Sequence, residues 1–459
     1  MKVNKFGSLS AGILSLALFA TGCAGERSGT DGSSEGNADN STSDNAFGTL
    51  ASPCGAGDAK GATAQGVTDS EIVIGYGDDR GFTKAPGLNK EMGDAVAAMI
   101  AWCNEQGGIN GRKIKGNQYD AAYMQSVSVM QKACKQDFML VGQGFALDDA
   151  AEQYRVGCDL PTVAGFTVGA NASMGPNKFE AVPYPVDHYN AANLKMSLEK
   201  FPEMKDGLDT ISSTSAAVEA GTQKIVDVLD GLGVDVKNCG VKLNAAGDAS
   251  YVPFAEKFKK CGVKALWTSK SPDPASFSML EALDRVGLDV PLVFESTWYS
   301  DYVKQWNTKG LGDNIHLNTV FQPFENADKV PAVKKYQELV AAKDGKPALL
   351  GMQATSAFLL WATAAQKCGS DLTRECVTTE LSKVHEWDGG GLHAPTDPGA
   401  NMPAKCSMML KLTGSEFEQV LPAEAGKFQC ADDNVVKIDK KLWGTKLNAD
   451  RISTTFLKS

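Results

Sequence analysis

The chain has 459 residues, 43 % of them apolar and 22 % charged, which is enough to build two sizeable cores. Its formal net charge is −10 and it carries no basic run, so nucleic acid is excluded as a partner. Eleven cysteines, with no Cys-x-x-Cys pair and only four scattered histidines, point to disulfides in an exported protein rather than to a structural metal or any other cofactor.

Lys2 and Lys5 precede an apolar run, Ala11–Ala20, that is too short to span a bilayer as a permanent helix. Ala20-Thr21-Gly22-Cys23 follows and resembles a bacterial lipobox, with Ala20 where leucine is commoner. That resemblance implies a signal peptide over residues 1–22 and a diacylglycerol on Cys23. An ordinary signal peptide with a coincidental cysteine is the alternative. Residues 23–66 are poor in aromatics and rich in Gly, Ser, Asp and Ala, which predicts a flexible tether interrupted only by Cys54.

Order begins at "VTDSEIVIGYG", with a strand over Glu71–Gly75. A helix is expected over Lys90–Gln106, because Met92, Ala95, Val96, Met99, Ile100 and Cys103 share one face. "GGINGRKI" stops that helix and turns at Asn110-Gly111. A helix near Gln125–Lys135, a strand over Phe138–Gly142, a helix near Asp148–Val156 and a strand over Pro161–Ala164 follow. After "AVPYPVDHYN" the pattern resumes with strands Leu208–Ile211, Cys239–Leu243, Val263–Thr268 and Pro291–Phe294, separated by helices. Strands alternating with helices predict parallel sheets covered on both faces, and two runs of similar size predict two α/β lobes. Helices over Val330–Ala342 and Gln353–Lys367, a shorter helix, and a hairpin in "CSMMLKLTGSEFEQVLP" complete the reading.

The stretch "GVTDSEIVIGYG…DAVAAMIAWCNEQGGINGRKI" resembles the opening of the type I periplasmic binding proteins, in particular the branched-chain amino-acid receptors of ABC transporters. "KKCGVKALWTSKSPDPASFSMLEALDRVGLDVPLVFES" fits their second lobe. The resemblance implies two doubly wound parallel-sheet lobes joined by three crossover strands, with ligand held in the cleft and trapped by hinge closure. Lobe 1 would comprise residues 67–183 and 324–407, and lobe 2 residues 184–323 and 408–459. Crossings are expected near Glu180–Tyr184, Leu317–Pro323 and Met408–Leu412. It further implies a monomeric receptor with no enzymatic activity, a small amino-acid-like ligand and an ABC permease as partner. The lipid on Cys23 would be its only attachment to the outer face of a cell membrane, as suits a Gram-positive cell without an outer membrane. A sensor of the same fold that signals without transport is the alternative.

Cleft residues should lie just beyond strand ends. Asp78, Asp79 and Arg80 follow the first strand, where an Asp could meet an ammonium or Arg80 a carboxylate; a self-satisfied ion cluster is the other reading. Phe145 and Ala146 stand where the family often has Ser or Thr for the ligand carboxylate. Gly165, Phe166 and Thr167 follow the next strand, Thr167 matching the family threonine at the amino and carboxylate end. In the second lobe the resemblance points to Lys270, Ser271 and Glu295, with Glu295 near the family's ammonium-binding acid, and Trp298 beside it could stack on a ligand or else pack against the hinge. The family's covering aromatic is missing from "SSTSAA", which speaks against a plain Leu/Ile/Val ligand.

If Cys23 carries lipid, ten cysteines remain. Sequence alone does not fix their pairing, but the element order favours Cys54–Cys103, Cys134–Cys158, Cys239–Cys261, Cys368–Cys376 and Cys406–Cys430. A hydrolase finds little support. "SLEK" (Ser197–Lys200) matches S-x-x-K but lacks a K-T-G partner, and G-x-S-x-G and H-E-x-x-H are absent.

Overall fold

The computed structural model describes residues 45–244, 247–438 and 445–457. Cys23, the signal segment and the first part of the tether lie outside the described residues. No helix among the described residues is long and apolar enough to cross a membrane.

Five strands build a first parallel sheet: β1 (Glu71–Asp78), β2 (Lys113–Asp120), β3 (Met139–Val141), β4 (Thr162–Ala164) and β5 (Lys178–Glu180). Their order is β2-β1-β3-β4-β5, all neighbours parallel. The order reverses beside β1, so the crevice suited to a ligand lies outside the carboxyl ends of β1 and β3. β1 runs three residues beyond the expected Gly75. Gly75 and Gly77 allow this, because a Cβ on either would collide with Asp137 or with the Tyr119 carbonyl.

β6 (His188–Asn190) follows the first passage between sheets. The second sheet draws on β7 (Leu208–Thr210), with β8 (Ser212–Ser213) and β9 (Lys242–Leu243) forming a short parallel extension. β10 (Ala265–Thr268), β11 (Leu292–Phe294) and β12 (Ile315–Thr319) continue it in parallel. β13 (Cys406–Thr413) and β14 (Glu416–Leu421) then add an antiparallel hairpin. β15 (Gln429–Cys430) pairs with the start of β13, and β16 (Val435–Lys437) pairs with β6. This is a two-lobed α/β architecture.

Each sheet has its own core. In the first, helix Leu349–Cys368 is apolar nearly all round and packs against helix Lys90–Glu105. In the second, Phe258, Phe277, Leu283, Leu292 and Trp298 pack against β10–β13.

The chain passes between the sheets three times, over residues 181–187, 320–330 and 394–405. The third passage comes before the expected Met408–Leu412, because β13 is already paired with β12 from Met408 onward. The passages are tied to one another. The Ala394 N–H donates to the Val320 carbonyl (2.8 Å), the Gln322 N–H to the Leu392 carbonyl (2.9 Å), and the Thr396 hydroxyl to the Ala181 carbonyl (2.7 Å).

Two expectations are corrected. The tether does not extend to residue 66, since from Asn45 the chain packs on the first sheet's unit. Phe47 is fully buried against the edge of Trp102, a side of the helix that the periodicity had left uncovered. The Gly55 N–H donates to the Gly108 carbonyl (2.7 Å), and Gly107, at φ 120°, has room for that approach only without a Cβ. The carboxyl-terminal residues 445–457 likewise do not stay with the second sheet. The Ser453 N–H donates to the Met174 carbonyl (2.7 Å), and the Arg451 guanidinium forks onto Asp187 (2.7 and 2.8 Å). All five disulfides favoured from the element order are present.

Phe47→Ala tests the corrected boundary. It should cost about 3–5 kcal/mol in denaturant unfolding, as for a buried aromatic, whereas a residue in a free tether would cost nothing.

Candidate functional site

A cavity of about 210 Å³ opens where the strand ends of the two sheets face each other. Phe166 and Thr167 reach it from beyond β4, Glu180 from the end of β5, and Glu295 from the end of β11. Asn318 comes from β12 and Gln353 from helix Leu349–Cys368. All three passages contribute, through Tyr184, Phe321 and Ala404. A second cavity of about 390 Å³ lies across Ser296, between the start of helix Lys90–Glu105 and the loop after β11.

Glu295 accepts one long hydrogen bond, from the Tyr189 hydroxyl (3.4 Å). Burial pushes its carboxyl up to about 7, against the pull of that hydroxyl and of Lys224. Lys224 is buried behind the tyrosines. Its ammonium donates to the Pro185 carbonyl (3.0 Å) and sits 3.8 Å from the centre of the Tyr184 ring. Burial draws it down to about 7. Tyr184 is half exposed and meets Tyr189 edge-on, with centroids 6.2 Å apart. The Thr167 hydroxyl donates to Glu180 (2.9 Å), whose other oxygen accepts from Lys178 (2.5 Å).

Of the residues expected at the ligand, Phe166, Thr167 and Glu295 come together here. The others are engaged elsewhere. Arg80 grips Asp78 with two hydrogen bonds (2.8 and 2.6 Å) and reaches Asp94 (3.0 Å), the self-satisfied cluster. Asp79 accepts the Tyr123 and Ala146 N–H groups (2.8 and 2.7 Å) and so pins two loops. Phe145 is buried with Tyr119, Leu140 and Leu160. Gly165 donates its N–H to Gln143 and leaves no room for a Cβ beside Met92. Lys270 binds Asp273 and Ser276 within its own lobe, and Ser271 lines the larger cavity. Trp298 is 1 % exposed, packs on Phe294 (centroids 4.5 Å apart) and donates its N–H to the Lys270 carbonyl (2.8 Å), so it supports the site from behind rather than stacking in it.

Sequence reasoning missed Tyr184, Tyr189, Asn318, Gln353 and Lys224. The tyrosines carried a signal, two aromatics in the proline-punctuated connection "AVPYPVDHYN". Ser197 of "SLEK" is buried, donates to the Asn193 carbonyl and accepts from Asn318, a packing role.

Two open α/β sheets whose carboxyl ends share a lined crevice, joined by three tied passages, define a bilobal solute-binding architecture. The sequence pattern of the periplasmic binding proteins matches residues 71–416. The chain therefore belongs to that family, in its type I branch. The fatty acid ABC transporter substrate-binding protein of Thermomonospora curvata is similar in fold, with a TM-score of 0.63 at 19 % identity over 80 % of this chain and 95 % of that one. So is the branched-chain amino acid transporter substrate-binding protein LivJ of Streptococcus pneumoniae, solved with isoleucine, with a TM-score of 0.62 at 16 % identity over 76 % and 99 %. The leucine-binding protein LivK of Thermotoga maritima gives 0.59 at 13 % identity over 76 % and 97 %. No curated protein matches.

The raised Glu295 pKa makes folding take up a proton between pH 4.5, the ordinary glutamate value, and about 7. Its contribution to stability therefore falls as pH rises through that window. In urea titrations the stability gap between Glu295→Gln and the native chain should shift in favour of the variant by up to about 3 kcal/mol from pH 4.5 to 7.5. A gap independent of pH would contradict the assignment.

Proposed function

We propose that this chain is the extracytoplasmic receptor of an ABC importer. It takes a small polar ligand of amino-acid size into the crevice between its lobes and presents the closed form to a permease. The observation that carries this reading is the 210 Å³ cavity, lined from both sheets and floored by all three passages. A ligand there touches both lobes at once, so binding free energy favours their approach. The cavity's size suits a compound like the isoleucine held by the Streptococcus protein better than a long acyl chain. No catalytic role is assigned to the lining residues. We assign the membrane attachment to lipid on Cys23, and the working form to a monomer.

A ligand-stripped ectodomain beginning at residue 45 is to be screened by thermal unfolding against amino acids, amides, amines, short peptides and aromatic acids. A true ligand at a hundred times its Kd adds about 2.7 kcal/mol, which is roughly 3 °C for a chain of this size. Solution scattering should then show a smaller radius of gyration with ligand than without. Binding without compaction would sink the closure mechanism. In cells, Cys23→Ala should move the protein out of the membrane fraction and abolish its labelling by a fatty-acid analogue.

A further inference from the structure

The smaller cavity is built to receive hydrogen-bond donors and positive charge. Among the described residues lining it there is no Lys, Arg or His, and of its two carboxylates Glu180 is already paired with Lys178 from behind (2.5 Å), which leaves Glu295 to face a ligand. Asn318 is 4 % exposed, and the direction of its amide is fixed. Ser197 gives its own proton to the Asn193 carbonyl and so must accept from the Asn318 amide nitrogen (2.8 Å). The Asn318 Oδ1 therefore points elsewhere, and it has no donor. Gln353 Oε1, also on the lining, has none either. The Thr167 proton is spent on Glu180, which leaves that hydroxyl as an acceptor. A buried acceptor without a donor is costly, and a ligand that brings N–H groups relieves it.

Several main-chain groups that could hold a ligand carboxylate are already taken. N–H groups beyond β3 and β4 point to carboxylates of the chain itself: Ala146 to Asp79 (2.7 Å), Val168 and Gly169 to Asp148 (2.7 and 2.8 Å). The Gly165 N–H goes to the Gln143 carbonyl (2.9 Å). Arg80, which follows β1, is engaged by Asp78 and Asp94. Meanwhile Tyr184, Tyr189, Phe166 and Phe321 present ring surface, which suits a cation with an apolar remainder.

We infer that the ligand is a small protonated amine without a carboxylate, its ammonium shared by Glu295, Asn318 Oδ1 and Gln353 Oε1 and its apolar part set among the aromatic rings. This rests on the receptor reading above. Lys224 does not line the cavity, and its amine is held from behind by the Pro185 carbonyl (3.0 Å) and the Tyr184 ring.

The test compares matched pairs by calorimetry on the ectodomain: 3-methylbutylamine against leucine, phenethylamine against phenylalanine, and butyramide as a neutral N–H donor. At least one amine should bind ten times or more tightly than its amino acid. Glu295→Gln should weaken that amine at least tenfold while the variant still melts cooperatively, and Asn318→Ala should weaken it without moving the leucine or phenylalanine signal. Equal or tighter binding of the amino acids overturns the inference and leaves the receptor reading intact. So does butyramide binding that Glu295→Gln leaves unchanged, with no amine binding. If other compounds of the wider screen bind and compact the protein but no amine does, the inference again falls alone. If nothing in either set binds, both fall.

Discussion

The arrangement depends on three passages of chain held together by main-chain hydrogen bonds. Val320 and Gln322 pair with Leu392 and Ala394, and Thr396 fastens the first passage at Ala181. A buried histidine braces this bundle. His393 donates from Nδ1 to the Ala394 carbonyl and accepts at Nε2 from Ser356, which also takes the Trp387 N–H. Burial holds His393 down at about 4, so it stays neutral and keeps both roles at physiological pH. Because the bundle fixes where each sheet's strands end, it also fixes that Thr167 and Glu180 face Glu295 across one small space. Without it the two sheets would be two unrelated Rossmann-like units.

The strand ends of the first sheet show how the crevice acquired its character. In an open parallel sheet the N–H groups beyond the strand ends are natural anion sites. Here Asp79 and Asp148 fill them from inside. Burial pushes the Asp148 carboxyl up to about 7, while the three N–H groups it accepts hold it down. These internal carboxylates order the loops that carry Phe166 and Thr167. They also remove the donors that an amino acid's own carboxylate would need. Under the ligand proposed above, loop rigidity and ligand chemistry have one cause.

Much of the frame was legible in the sequence, because local patterns carried it. The alternation of strand and helix and the stop at "GGINGRKI" follow from periodicity and turn chemistry, and the crossings between lobes came only from the family resemblance. The site was legible only in part. Glu295 and Thr167 sit at strand ends, where the topology alone directs attention. Asp78, Asp79 and Arg80 sit at a strand end too, yet their partners were visible only once Asp94, Tyr123 and Ala146 were in place. Lys224 lies on a helix whose apolar neighbours gave no hint of a cation, and its place behind Tyr184 is purely tertiary. The tether was misjudged beyond residue 44 because composition speaks of average burial, whereas one Phe47 against Trp102, followed by Cys54 bonded to Cys103, suffices to hold a glycine-rich segment in place.

The placement of the disulfides suits the hinge closure proposed above. Cys54–Cys103, Cys134–Cys158 and Cys368–Cys376 all lie within the first sheet's unit, while Cys239–Cys261 and Cys406–Cys430 lie within the second's. None spans the crevice. Oxidation therefore stabilises each lobe by constraining its unfolded chain, and leaves the relative position of the lobes to the tied passages. The carboxyl-terminal segment adds a noncovalent restraint at the same place, with Arg451 bridging Asp187 of the first passage and the Ala400 carbonyl of the third. In the proposed closure an ion pair of this kind can rearrange, which a covalent bond could not. Covalent links inside the lobes and polar links between them divide stability from motion.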